Sequence, residues 1–301
     1  MTSPPPRKAT SLARLLSGWA VGAFGFVVVL LGGWWFTIAV GVMVHLGLLE
    51  FFRMAQFKGM RPATKTTLVT VQLLLLATMA ASGGPGGGWF AQDLAAAVLP
   101  VSGVLICGWL LLQPVTGTIA DVAASIFGLF YLGFLPSHWI RLRELEGCGL
   151  ALTLTACFMV VATDIGSYVI GRRLGRRPLS PISPGKTIEG ALGGLACAMV
   201  VGVIGGDTIV WRAAAATGAA VSTTSLVVGG LLGAAMGAVV AVMALVGDLT
   251  ESMLKRDAGL KDSGEIIPGH GGILDRIDSF LFAPAVVYGL VSLMLPWLGS
   301  G

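Results

Sequence analysis

Carboxylates and basic side chains crowd into two stretches of this chain, Asp164 to Glu189 and Asp248 to Asp278, which together hold nine of its fifteen acidic residues. In the second stretch Asp248, Glu251 and Lys255 follow at intervals of three and four, so on a helix they share one face, and Ser252 and Arg256 share the neighbouring one. Further on, His270-Gly271-Gly272-Ile273-Leu274-Asp275-Arg276-Ile277-Asp278 leads into an apolar run. The two glycines permit a tight approach of backbone to a ligand. Asp275 and Asp278 stand three apart at a predicted helix N-terminus, where free N–H groups favour anions. Two carboxylates beside an anion site suggest a bridging metal, and Mg²⁺ prefers a few carboxylates plus phosphate oxygens and water. Lys255, Arg256, Lys261 and Arg276 supply positive charge for phosphates. A Glu251–Lys255 salt bridge is the alternative reading of that pair, and it leaves Asp248, with an apolar stretch behind it, unexplained.

The elements that must position these groups are membrane spans. Of the 301 residues, 55% are apolar and 11% charged, against about 25% charged in a soluble domain. Nine apolar segments are long enough, or nearly so, to cross a bilayer: 14–31, 34–53, 66–82, 94–112, 117–135, 149–171, 188–206, 223–247 and 279–298. With the N-terminus inside, the inside segments carry sixteen of the nineteen Lys and Arg residues, and the outside loops only Arg141, Arg143 and Arg212. That asymmetry is the positive-inside pattern. It accounts for the net charge of +4 without a nucleic-acid partner. The predicted fold is therefore an all-α integral membrane protein with about nine transmembrane helices and a cytosolic N-terminus. Residues 1–13 form a cytosolic tail, 14–147 an N-terminal set of helices, and 148–301 a C-terminal catalytic region. Both charged stretches fall on the cytosolic face.

Smaller features carry their own expectations. The loop from Ser137 to Gly147 reads as a short amphipathic interfacial piece. Glu50 and Arg53, three apart, read as an interfacial ion pair. Asp121 reads as a helix cap, with a place in a lipid cavity as the alternative. Gly229, Gly233 and Gly237, at spacing four, form a groove that suits helix packing or, alternatively, a homodimer contact. Gly185-Lys186-Thr187 mimics the end of a phosphate-binding loop, but Ser180 stands where that motif needs glycine and no strand precedes it.

The C-terminal stretch resembles the signature of the phosphatidate cytidylyltransferases, the CDP-diacylglycerol synthases. The matching residues are Ser252, Leu254, Lys255 and Arg256, then Lys261, Asp262 and Gly264, then Ile267, Pro268 and the run from His270 to Asp278. Gly247-Asp248-Leu249 with Glu251, Asp164 with Gly166-Ser167-Tyr168, Ser183-Pro184-Gly185-Lys186-Thr187 with Glu189-Gly190, Gly32-Gly33-Trp34-Trp35 and Glu50-Phe51-Phe52-Arg53 extend the likeness over nearly the whole chain. Gly185 stands where relatives often carry a second polar or basic residue. The resemblance implies cytidylyl transfer from CTP to phosphatidic acid in a bacterial inner membrane, with the active site facing the cytoplasm. It implies Mg²⁺ on Asp248 and Asp275, with Asp164, Asp262 and Asp278 as second candidates and room for a second cation. Lys255, Arg256, Lys261 and Arg276 would bind the triphosphate and leaving pyrophosphate. Ser183, Lys186, Thr187 and Glu189 would form the opposite wall. Ser252, Gly271 and Gly272 belong to the binding signature, and His270 would contact phosphate or support the loop. A transporter, the rival reading, would place charged residues along a path through the bilayer, whereas here they gather at one face.

Overall fold

Long apolar runs with few breakers leave a chain in lipid one economical choice, the helix, which satisfies its own backbone. The computed structural model describes residues 22–82, 89–217, 223–264 and 271–298. Helix α1 covers Gly22–Leu31, followed by α2 (Gly33–Phe57), α3 (Thr64–Ser82), α4 (Trp89–Leu111), α5 (Ile119–Gly128), a π-helical segment (Leu129–Phe134), α6 (Leu135–Arg143) and α7 (Gly149–Leu174). A small antiparallel hairpin, β1 (Pro178–Ser180) and β2 (Ser183–Thr187), precedes α8 (Ile188–Thr217), α9 (Thr223–Asp257), α10 (Leu274–Leu281) and α11 (Ala283–Leu298). The chain is mainly helical, and seven helical stretches among the described residues are long and apolar enough to cross a membrane. The helices Gly22–Leu31 and Ala96–Leu111 are apolar but shorter. The predicted tail, 1–13, and His270 lie outside the described residues.

Helices α7, α8 and α9 pack most closely, and glycine is the reason. A Cβ on Gly202, Gly206, Gly233 or Gly237 would run into the backbone of the facing helix, the two helices being α8 and α9. The stripe that left packing and dimer contact open is therefore filled by α8 of the same chain. On the other side of α8, Gly193 and Gly194 admit Ile170, Thr163 and Ser167 of α7. This triple packing sets α7 beside α9.

Helix α9 is 35 residues long, about 50 Å, and outruns a hydrocarbon core of about 30 Å. Its last turns carry Asp248 to Asp257 as continuous helix. Gly247 then lets α10 come in: a Cβ there would collide with the carbonyl of Asp278.

Two expectations are corrected. The segment Ser137–Arg143 is not an interfacial piece but the buried continuation of the α5 span, with Ser137, Trp139, Ile140 and Leu142 out of solvent. Its charged end is used. Arg143 donates from Nε to the Val29 carbonyl (2.8 Å) and from Nη2 to that of Leu30 (3.2 Å), and Glu144 accepts from Gly33 N–H (2.9 Å). These groups satisfy the orphan ends of α1 and α2 where the chain breaks at Gly32, whose φ is +64°. Glu50 and Arg53 do not pair either: Arg53 is exposed and lies over the Phe57 ring, and Glu50 turns inward to partners described below. Asp121 is the cap that was expected. It forms a capping box with Thr118 and also accepts from Arg61 N–H at 2.5 Å.

The α8–α9 contact yields a direct test. Gly233→Leu should destabilise the protein by about 3 kcal/mol or more through overpacking, read as a lower melting temperature in detergent, with no change in oligomeric state of whatever fraction stays folded.

Candidate active site

The C-terminal part of α7, the C-terminal turns of α9, and α10, with the hairpin, enclose a cavity of about 690 Å³. Asp164 and Arg172 reach it from α7, Lys186 and Thr187 from β2, Asp248 and Lys255 from α9, Asp262 from the connection, and Asp275, Arg276 and Asp278 from α10. Residues far apart in sequence thus meet because glycine-mediated packing brings α7, α9 and α10 to one corner.

Two groups of carboxylates do different work there. On one wall Lys186 forms an ion pair with Asp248. Ser279 ties the neighbouring acids together, donating its hydroxyl to Asp164 Oδ1 (3.3 Å) while its N–H bonds Asp278 Oδ1 (2.7 Å). Asp248 and Asp164 open into the cavity, and Asp278 is nearly buried. On the other wall Lys255 Nζ lies 2.5 Å from Glu251 Oε2 and 2.5 Å from Asp275 Oδ1. Glu251 is completely buried, so this ammonium is its counter-charge. The second oxygen of Asp275 accepts from Gly272 N–H (2.8 Å), Ser263 N–H (3.0 Å) and Ser263 Oγ (3.0 Å). Both oxygens of Asp275 are therefore committed to holding the loop before α10, and Gly271, at φ +81°, makes the turn into it.

The remaining predicted residues lie off the cavity wall. Glu189 accepts from the N–H groups of Arg176 (3.0 Å) and Arg177 (3.3 Å) and so closes the base of the hairpin. Ser183 sits on β2 and Ser252 is buried on α9. Arg256 is exposed and donates to the Leu260 carbonyl at 3.3 Å, and Lys261 is exposed. Gly271 and Gly272 shape the loop behind Asp275. Residues that were given no site role also line the cavity, among them Ser167 and Tyr168, which the resemblance takes in, and Arg172 and Ser279. The first of these had a signal, since Ser167 lies one turn beyond Asp164 on the same helix face.

A family model described as the cytidylyltransferase family matches residues 12–294. The chain belongs to the cytidylyltransferase family. It is 42% identical to a phosphatidate cytidylyltransferase of Synechocystis sp., over 95% of this chain and 98% of that one. It is 32% identical to the phosphatidate cytidylyltransferase of Bacillus subtilis, over 93% and 97%. Phosphatidate cytidylyltransferase 4, chloroplastic, of Arabidopsis thaliana is 34% identical over 97% of this chain and 76% of that protein. In this member of the cytidylyltransferase family, then, the matched region takes in every element that builds the cavity.

Metal fit follows from the donor set. Among the described residues no group of three or more His, Cys, Asp and Glu is close enough to hold an ion alone. Asp164, Asp248 and Asp278 nevertheless present oxygen donors to one cavity. That set fits Mg²⁺, which binds through one or two carboxylates and completes its shell with substrate phosphates and water.

The two walls should respond differently to mutation. Lys186 and Asp248 are partly exposed, so Lys186→Met should cost less stability than Lys255→Met while lowering turnover about tenfold or more. Lys255→Met uncovers a buried carboxylate and should cost about 3–5 kcal/mol. Melting temperature and turnover measured on the same two detergent preparations check both.

Proposed function

We infer that this protein is a phosphatidate cytidylyltransferase: it transfers the cytidylyl group of CTP to phosphatidic acid, giving CDP-diacylglycerol and pyrophosphate, a step of phospholipid biosynthesis. The observation that carries the reading is full-length similarity to proteins of that name, combined with a polar cavity at the ends of apolar helices.

The chemistry suits these residues. A phosphate oxygen of phosphatidic acid attacks the α-phosphorus of CTP, the bond between the α- and β-phosphates breaks, and pyrophosphate leaves. The nucleophile is already ionised at neutral pH, so no strong base is required. The task is to bring two polyanions together and hold them in line. Lys186, Lys255, Arg276 and Arg172 put positive charge around the cavity from α7, β2, α9 and α10. In our reading Arg276 and Lys255 face the triphosphate, while Lys186 and Thr187 form the opposite wall. Arg256, Lys261 and His270 guide the phosphates in and the pyrophosphate out.

Mg²⁺ supplies charge neutralisation at the transferred phosphoryl group when bound. Asp248 is its principal ligand in our reading. Asp278 and Asp164 are better placed than Asp275 to complete the site, because Asp275 would have to give up Lys255 or its loop donors first. Asp275 would join Asp248 on the metal only with that rearrangement.

The topology we propose has nine spans, with the short helices Gly22–Leu31 and Ala96–Leu111 crossing as parts of longer apolar segments. The N-terminus and the cavity face the cytoplasm, where CTP is. Sixteen of nineteen basic side chains on that side support this orientation, and the bacterial relatives support a place in the cell membrane.

Purified protein with labelled CTP and phosphatidic acid should form a lipid-soluble cytidine product, and chelation of divalent cations should stop it. Failure to form that product with Mg²⁺ present would overturn the reading. Asp248→Asn should remove at least about 100-fold of the turnover while the protein stays folded. Asp275→Asn should remove activity too, but with a lower melting temperature, since the amide keeps one acceptor oxygen and sets its N–H₂ against either Lys255 or the loop donors. Loss of metal response in Asp275→Asn with an unchanged melting temperature would place Asp275 on the metal instead.

A further inference from the structure

Glu50 lies on α2, in the half of the chain without the signature, yet it reaches the loop that carries it. The residue is 4% exposed. Its Oε1 accepts from Ile273 N–H (2.9 Å), and its Oε2 accepts from Leu274 N–H (2.9 Å) and Ser263 Oγ (2.9 Å). Ile273 is the N-cap of α10 and offers no side-chain cap of its own. The carboxylate of Glu50 therefore caps α10 from another helix, where free N–H groups and the helix dipole favour negative charge.

Three further observations make this a fitted contact. A Cβ on Gly264 would meet Glu50 Oε1 at 2.5 Å, and one on Gly272 would collide with Glu50 and with Ser263. Both glycines therefore keep room for this side chain. Ser263 Oγ stands between two carboxylates, 2.9 Å from Glu50 and 3.0 Å from Asp275, and its one O–H proton is shared between them. Asp275 in turn holds Lys255. Glu50 and Asp275 thus grip the same serine and consecutive backbone N–H groups, those of Gly272, Ile273 and Leu274, from opposite sides.

From this geometry we infer that Glu50 is a positioning residue for cytidylyl transfer. It touches no cavity wall, and it acts by fixing the loop and the first turn of α10, so that Asp275, Arg276 and Lys255 keep their places. The inference rests on the activity proposed above. The physical basis is that a misplacement of about 1 Å at the reacting groups costs about 100-fold in rate, while a carboxylate bonded to three donors in a buried site has little freedom to let that loop drift.

The test uses the full-length protein in detergent with CTP, phosphatidic acid and Mg²⁺. Glu50→Gln keeps the size of the side chain but sets an amide N–H₂ against donors. It should lower kcat about 30-fold or more with the KM for phosphatidic acid within about threefold. Backbone amide exchange should quicken at Ile273 and Leu274 before it does in α7 or α8. Ser263→Ala should lower kcat by about tenfold, and the double variant should be no worse than Glu50→Gln alone, because both act through one network. A wild-type kcat in Glu50→Gln, or losses that multiply in the double variant, would overturn the inference. If Glu50→Gln does not fold, Ser263→Ala decides alone: an unchanged kcat overturns it. Absence of product from the wild-type protein would instead refute the activity, so the two failures are distinguishable.

Discussion

Lys255 sets one ammonium between two carboxylates, 2.5 Å from each, one of them wholly buried, and the cavity end of the molecule is organised around that arrangement. Burying a charge is affordable only when it is paired and hydrogen-bonded. Among the described residues Lys255 is the ion-pair partner of Glu251, so α9 keeps Lys255 turned inward, one helical turn on. Asp275 then brings α10 to the same ammonium from 20 residues further along. Within the described part of the connection, charge fastens Ser263 and Gly272 to Asp275, beside the apolar contacts of Ala258 and Leu260. Once Asp275 is held there, its second oxygen collects the loop amides, and Ser263 links the assembly to Glu50 on α2.

This commitment divides the acids of the site. Asp275, Glu251 and Glu50 spend their charge inside the protein, on Lys255, on helix and loop N–H groups and on Ser263. Asp164, Asp248 and Asp278 face the cavity with fewer protein donors. A site for polyanions lined by acids looks contradictory until the two sets are separated. The first set builds a rigid frame that fixes the basic residues. The second offers hard oxygen donors where a cation and phosphates can share a shell.

Much of this was readable from residue spacing. The intervals between Asp248, Glu251 and Lys255 put the three on one helix face, and the helix extends through them to Asp257. The paired glycines before Asp275 were read as room for a ligand, and the close approach they make is to the chain's own carboxylates, with Gly272 N–H bonding Asp275. What spacing could not deliver were partners distant in sequence. Glu50 and Arg53 satisfy the same-face rule, yet Glu50 bonds residues more than 200 positions away. Nothing local distinguishes an acid that pairs at the interface from one that caps a remote helix. The available signals were its place in the Glu50-Phe51-Phe52-Arg53 likeness and its position near the end of an apolar span, where an ionisable group needs a reason. Ser137 to Arg143 misled for a related cause. Its charges look interfacial until Arg143 and Glu144 are seen to satisfy the broken helix ends at Gly32 and Gly33. The glycine stripe of α9 was legible as a close contact, but sequence does not say whether the facing helix belongs to the same chain.

The pairing of Lys186 with Asp248 carries a last consequence for how such a cavity takes up its ligands. A phosphate that engages Lys186 competes with Asp248 for the same ammonium, and a carboxylate stripped of its partner next to Asp164 and Asp278 is strongly disfavoured by like charge. Phosphate binding on this wall is therefore opposed unless Asp248 acquires another positive neighbour in the same event. By linkage, whatever supplies that charge and the phosphate must each raise the affinity for the other. On the Lys255 wall the logic differs, because two carboxylates, Asp275 and Glu251, hold the one ammonium and Asp275 also keeps its loop contacts, so a phosphate there has more to displace. The Lys186 pair is thus the easier of the two to open.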